Sequence, residues 1–298
     1  MSRGNSGKAG EDKGSSGFVK VIAAGFLVAV VVVAAALFIV NRKSGDGDAG
    51  GGAAAGGSSW NAGGEAMDSR SVADRFDWAD RKADINGQMV YKPEPRVGKI
   101  LSETTRSYPS PTGVEASTAR PEGVVFESID MIKIWGIPFS MSDGPTGFDG
   151  NVPVGYTRSA AGAALAAAAY NAGTVNYLPS PEKYKTIFAN PTSGQLDFAR
   201  REEQVQLASL EALGESATDA FGEAIMNAPD GYTIDAYDGN YARISIYDRA
   251  PNPDTGRQVI NASLSDLIWT EHGWKLKAVA DKTVELDSFP EGLISWTH

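Results

Sequence analysis

The sequence VIAAGFLVAVVVVAAALFIV, residues 21–40, decides how the rest of the chain is organised. The stretch begins at Val21 and ends at Val40, and it contains no charged or polar residue. About 20 apolar residues of helix cross a bilayer core about 30 Å thick, and in lipid a helix satisfies its own backbone hydrogen bonds. The stretch therefore predicts one transmembrane helix, which spans residues 18–41 with its flanks.

A cleaved secretory signal is the main alternative for this stretch. The apolar region of such signals is usually about 7–15 residues long, whereas this one is longer and is followed by Asn41, Arg42 and Lys43. We therefore favour a retained anchor. Four basic residues precede it and two follow it, and this bias predicts a cytoplasmic N-terminus and an extracytoplasmic C-terminal domain in the cell membrane.

The charge and cysteine content of the chain argue against some classes of partner. The chain has 298 residues, a formal charge of −10 and no cysteine, so the domain needs no disulfide bonds. Residues 131–298 carry 12 Lys and Arg against 21 Asp and Glu. Phosphate binding needs clustered positive charge, so this composition argues against nucleic acid as a partner.

The segments on either side of the anchor are poor in large apolar residues. Residues 1–17 predict a disordered cytoplasmic tail. Residues 44–130 are first rich in Gly, Ala and Ser and then rich in Pro, which predicts a flexible or extended spacer. Within it, apolar residues at helical spacing predict a short amphipathic helix at 70–84, which either docks on the downstream domain or orders on a partner.

Residues 131–298 predict a folded α+β domain. Three helices are expected: an alanine-rich one after Ser159, one opening at Ser180, and a long one over 194–226. Four strands with a period of two follow, and a shift of the apolar phase after Leu264 in the third strand predicts a β-bulge. We expect about three helices packed on a bent antiparallel sheet of four to five strands.

This plan resembles the cone-like nuclear transport factor 2-like folds. The tail, anchor and spacer resemble the bitopic components of type IV secretion and conjugation channels. Over residues 131–280 the chain also resembles an uncharacterised family of anchored proteins encoded on actinobacterial mobile elements. The resemblance is carried by IPFS (137–140), DGP (143–145), GYTR (155–158), GAALAAA (162–168) and GWKL (273–276). This resemblance implies a role in conjugation. Its motifs are structural, so it identifies no catalytic residue in this chain.

The sequence contains no motif typical of a catalytic, cofactor-binding or metal site. The two histidines, His272 and His298, are too few for a local zinc site. Ser216 lacks the closing glycine of a nucleophile elbow. Asp143 and Asp149 lie in a turn-rich loop, where turn formation is a simpler explanation than metal binding.

One enzymatic hypothesis remains from the residue types. Tyr170, Tyr237, Asp235 and Asp248 are of the kinds that proton-transfer isomerases use in a hydrophobic pocket. The simpler interpretation places the tyrosines at the edge of the core and the aspartates in solvent.

The sequence therefore predicts a non-enzymatic, membrane-anchored scaffold or assembly protein without cofactors. Its expected partners are other membrane or channel proteins or a second copy of itself. The alternative is an extracytoplasmic domain that binds a ligand or senses the cell wall, and this would require a hollow interior.

Overall fold

The computed structural model describes residues 72–95, 97–102, 113–118, 120–129, 135–176, 180–213, 227–252, 255–277 and 283–296. The predicted tail (1–17), the predicted transmembrane helix (18–41) and the start of the predicted spacer lie outside these residues. No helix within the described ranges is both long and apolar enough to cross a membrane.

A four-stranded sheet forms the first part of the domain. Strands β1 and β2 make an antiparallel hairpin, β2 pairs with β3 in parallel, and β3 pairs with β4 antiparallel. The hairpin turn forms because Asp84 Oδ1 accepts the backbone N–H groups of Asn86 and Gln88, each at 2.8 Å. The strands are β1 (Trp78–Ala83), β2 (Met89–Pro93), β3 (Val125–Glu127) and β4 (Ile137–Phe139), in that order across the sheet.

Two further sheets follow. A small hairpin pairs β5 (Gly147–Asp149) with β6 (Val152–Val154). The larger sheet is antiparallel throughout, with the order β10-β9-β8-β7-β12 and β11 paired with β9. Its strands are β7 (Gly231–Tyr237), β8 (Tyr241–Pro251), β9 (Gln258–Thr270), β10 (Gly273–Leu276), β11 (Thr283–Leu286) and β12 (Ile294–Ser295).

The alanine-rich helix is central to the packing. The helices are α1 (Val114–Thr118), α2 (Ala160–Asn176), α3 (Pro181–Ile187) and α4 (Ser193–Leu213). Ser159 begins α2, since its Oγ accepts the Gly162 N–H at 2.9 Å. Because alanine side chains are small, α2 contacts both β4 and strands β7 to β10. The seven alanines at 160, 161, 163, 164, 166, 167 and 169 are 0% exposed.

The architecture predicted from the sequence is wrong. A flexible linker followed by a cone of three helices on one sheet was expected, whereas the described residues form a sheet-rich mixed α+β domain with three sheets and four helices. Strands β1, β2 and β3 come from the predicted linker. Each has six residues or fewer, which is too short to give a clear alternating pattern among the neighbouring prolines and glycines.

The short helix predicted at 70–84 is also corrected. Residues 78–83 form β1, and both Ala79 and Ala83, which completed the helical pattern, are exposed. The side-chain and backbone bonds of the Asp84 turn favour a hairpin at this position, and they outweigh a short helical spacing that buries little apolar surface.

The bulge expected in β9 lies elsewhere. Pairing between β8 and β9 runs in register from Tyr241–Ile268 to Pro251–Gln258, and the irregularity is in β7 between Ile234 and Ala236. The apolar phase of β9 changes for a different reason: Leu267 faces α2 and is buried, while Leu264 lies on the opposite face and is 37% exposed.

Candidate functional site

The side of the six-stranded sheet that faces α2 is filled with protein. Ile244 and Leu267 on this side are both 0% exposed, and alternation along the strands places neighbouring core residues on the same face. The Oγ of Ser265 donates to Oδ1 of Asn171 on α2 at 2.9 Å, which fixes the helix against the sheet.

The sequence favours core positions for Trp135, Trp269 and Trp274, and the structure buries Trp274 fully and the other two in part. Trp274 is 1% exposed and donates from Nε1 to the carbonyl of Thr157 at 2.8 Å. The Trp269 ring meets it edge-on, with centroids 5.3 Å apart. Trp269 and Trp135 are partly buried against the same core. The Trp269–Trp274 pair stabilises the end of the sheet next to the start of α2.

The four residues of the isomerase hypothesis do not converge. The Tyr237 hydroxyl donates to the Arg158 carbonyl at 3.0 Å, and Tyr237 pairs with Ala242 at one end of β8. Asp248 lies six residues further along that strand, about 20 Å away at about 3.3 Å per residue. Asp235 is exposed on the opposite face of the sheet.

Tyr170 is enclosed in the core and makes no pair with these aspartates. It is 2% exposed, its ring meets Tyr156 edge-on at 6.2 Å, and burial raises the pKa of its hydroxyl above the ordinary range. A phenol in this position stays protonated at neutral pH. The geometry therefore gives these four side chains no shared reaction centre.

Asp143 is the centre of a buried hydroxyl network. Its Oδ1 accepts Thr157 Oγ1 at 2.6 Å and Ser159 Oγ at 3.1 Å, and its Oδ2 accepts Ser142 Oγ at 2.5 Å. Asp143 is 0% exposed. Because Ser159 also caps α2, the carboxylate joins the loop to the positive end of the helix dipole, which is an architectural role.

Asp149 is used in a different contact. Its Oδ2 accepts the Thr186 hydroxyl of α3 at 2.7 Å, which ties the β5–β6 hairpin to that helix. Within the described ranges no group of three His, Asp or Glu side chains is arranged to hold a metal ion. His272 is exposed in the β9–β10 turn beside Glu271, and His298 and Ser216 lie outside the described residues.

A polar cluster joins the β1–β2 turn to the six-stranded sheet, and we refer to it as the inter-sheet junction. It consists of Asp84, Asn86, Gln88, Asn227, Asp230, Asp248, Arg249, Gln258 and Asn261. On the turn side, Asp84 Oδ2 accepts the Ala228 N–H at 2.9 Å. Asn86 Nδ2 donates to Asn227 Oδ1 at 3.0 Å, and Gln258 Nε2 donates to Asn86 Oδ1 at 2.9 Å.

On the sheet side of the junction, the Arg249–Asp230 ion pair lies close to the carboxyl group of Asp248. Arg249 donates from Nε to Asp230 Oδ1 at 2.9 Å. Among the described residues, Asp248, 6% exposed, has amides as its donors, accepting from Asn261 Nδ2 at 3.2 Å and Asn227 Nδ2 at 3.4 Å. Burial raises the pKa of Asp248 to about 6, with a further increase from the charge of Asp230.

Glu127 is a second buried carboxyl group. It is 0% exposed, and its Oε2 accepts the Lys99 backbone N–H at 2.7 Å. Its Oε1 is buried without a hydrogen-bond partner. Burial raises the pKa of Glu127 well above its ordinary value despite the opposing effect of Lys99. Burial therefore favours the neutral form of this carboxyl group within the four-stranded sheet.

The outer face of the six-stranded sheet carries an apolar patch. We define the outer-face patch as Ala262, Leu264 and Val284. Val284 pairs directly with Ala262, and Leu264 follows on the same face of β9. Leu264 is 37% and Val284 48% exposed. A neighbouring position on this face, Asp235, is exposed and charged, so the patch has an acidic neighbour.

Sequence reasoning missed both surfaces. The junction was missed because Asp84, Asn86 and Gly87 fell within the predicted spacer, although Asp-x-Asn-Gly is a strong turn signal. The patch was missed because the apolar phase change in β9 was interpreted as a bulge. The phase change itself was the available signal, since it marks where the outer face becomes apolar.

Comparison with known families places the chain in one group. A family described as a domain of unknown function (DUF8175) matches residues 91–292. The chain belongs to this family. Its matched region includes β3 to β11, the four helices and the sheet side of the inter-sheet junction, whereas the β1–β2 turn precedes it. Neither a curated protein nor a solved structure matches the chain.

Proposed function

We propose that this member of the DUF8175 family is a non-enzymatic assembly protein, held at the cell membrane by residues 21–40. In this proposal its domain faces the extracytoplasmic side and binds other proteins of a conjugation apparatus. The observation that carries the proposal is the filled interior: α2 packs against one side of the six-stranded sheet, with alanines that are 0% exposed. Partner recognition then depends on the outer surface.

The outer-face patch supports the choice of surface. Val284 and Leu264 expose apolar side chains on adjacent strands, and exposed apolar groups rimmed by polar residues are typical of protein contact sites. Residues 131–298 carry nine more acidic than basic residues. A complementary partner therefore has an apolar centre with Lys and Arg around it.

Site-directed crosslinking in cells tests the proposal directly. The chain has no cysteine, so each single substitution places one unique thiol. Val284→Cys and Leu264→Cys, labelled with a thiol-linked photocrosslinker, are expected to give adducts that mass spectrometry identifies as membrane or channel proteins. Glu271→Cys, in the exposed β9–β10 turn, is the control and is expected to give none.

Two outcomes would contradict the proposal. One is that neither labelled patch variant forms a crosslinked adduct, under conditions in which proteins known to be in contact do crosslink. The other is unchanged DNA transfer when the gene for this chain is deleted from an element that carries it. Adducts of twice the mass of the chain would identify a second copy as the partner.

A further inference from the structure

The inter-sheet junction contains a buried carboxyl without a cationic partner. Asp248 is 6% exposed, and its hydrogen-bond donors are the amides of Asn261 and Asn227. A buried carboxylate is costly unless it is paired with a positive charge. Arg249, the neighbouring cation, is already bonded to Asp230 through Nε, Nη2 and its backbone N–H.

The same amide groups hold the β1–β2 turn. Asn227 donates to Asp248 and accepts from Asn86. Asn86 and Asn227 also both donate to the carbonyl of Arg249, each at 3.1 Å. The turn therefore lies over the end of β8 that carries Asp248. Water reaches this carboxyl more easily once the turn detaches.

We propose that the inter-sheet junction is a pH-dependent latch, which holds the β1–β2 hairpin on the six-stranded sheet while Asp248 is protonated and weakens when Asp248 ionises. Ionisation places a second negative charge beside Asp230. The charge is hydrated only if the turn moves away, so deprotonation favours the detached hairpin. The latch does not depend on the partner proposed above, because it controls only whether the β1–β2 hairpin is attached to the six-stranded sheet.

Three other carboxyl groups lie on the elements that pack around Asp248. Asp84 in the β1–β2 turn accepts three backbone N–H groups, and Asp230 is paired with Arg249. Glu285 on β11 pairs with Asn261 of β9 and is exposed. Its carboxylate accepts a hydrogen bond from the Asn252 side chain. Each of these three carboxyl groups has backbone donors, a cation or solvent around it, whereas Asp248 is buried and accepts hydrogen bonds from amides.

The pKa of Asp248 sets the range and the size of the effect. Its folded-state pKa is raised from 3.8 to about 6. If detachment restores the ordinary value, the opening equilibrium of the hairpin increases about a hundredfold as the pH rises from below 4 to above 6. The change is complete by pH 7.5.

Hydrogen exchange of the full-length protein measures this opening. Exchange would be followed by mass spectrometry at pH 4 and pH 7.5 in peptides from 78–93, with correction for the intrinsic chemical rate. Wild-type protein is expected to lose about a hundredfold of protection there, while peptides from α2 keep theirs. Unchanged protection in 78–93, or an equal loss in α2, would overturn the latch.

Variants identify the group responsible. Asp248→Asn is expected to abolish the pH dependence in 78–93, and Asp248→Ser does the same if the asparagine variant fails to fold. Asp235→Asn, an exposed aspartate on β7, is the matched control and keeps the wild-type change. Persistence of the pH dependence in the Asp248 variants would assign it to another group and refute the proposal.

Discussion

The Nδ2 atom of Asn86 donates a hydrogen bond of 3.0 Å to Oδ1 of Asn227, a residue 141 positions further along the chain. This contact joins the four-stranded sheet to the six-stranded sheet. Asn86→Ala is expected to lower the free energy of unfolding by about 1–3 kcal/mol, because Asn227 and Gln258 lose a part-buried partner. Urea denaturation measures the loss. Gln204→Ala, exposed on α4, is the control and should change stability by less than about 0.5 kcal/mol.

Asp248→Asn is expected to stabilise the protein at neutral pH. The folded-state pKa of Asp248 is raised from 3.8 to about 6. Ionisation of Asp248 therefore leaves the free energy of unfolding unchanged below about pH 4 and lowers it fully above about pH 6. The variant removes this cost and should be more stable than wild type by about 1–3 kcal/mol at pH 7.5, with no gain at pH 4. Urea denaturation at both pH values checks the sign, and a gain that is equal at the two would contradict it.

Ala166→Leu tests the close approach of α2 to the sheets. Ala166 is 0% exposed, and three additional carbon atoms have no space there, so a loss of about 1–3 kcal/mol is expected in thermal or chemical unfolding. The same change at Ala208, exposed on α4, is the control. Equal stability of the two variants would show that the interior has room that the structure does not describe.

Gly162 and Gly194 give a matched pair of substitutions. A Cβ at Gly162 would lie 2.1 Å from the carbonyl oxygen of Thr157, whereas one at Gly194 would meet its nearest neighbour, Thr192 Oγ1, at 4.0 Å. Gly162→Ala is therefore expected to destabilise by about 2–4 kcal/mol. Gly194→Ala should leave stability unchanged or raise it slightly, since alanine favours helix. Similar melting temperatures would contradict the packing at the start of α2.

The local elements were predictable where the chain carries a long, regular signal. The period-two strands from β7 to β10 and the alanine-rich helix after Ser159 agree with the sequence prediction to within a few residues. The long helix predicted over 194–226 is present as Ser193–Leu213, and its remainder lies outside the described residues. In these stretches local propensity and burial favour the same structure.

The arrangement of the elements was not predictable on the same basis. Strands β3 and β4 have three residues each, so they gain their stability from tertiary contacts and leave no periodic pattern. The junction depends on contacts such as Asn86 to Asn227, which no local pattern encodes. Likewise, the buried state of Asp248 follows from the docking of a hairpin that the sequence assigned to a spacer.

The most direct test of the account is the effect of the outer-face patch on association. The full-length protein would be purified from membranes after crosslinking in cells, alone and as the Leu264→Asp/Val284→Asp double variant. Both side chains are substantially exposed, so the variant should fold with an unchanged circular dichroism spectrum. The account predicts that a partner protein recovered with the wild type is lost from the double variant. Recovery of the same partner in the same amount with both proteins would contradict it.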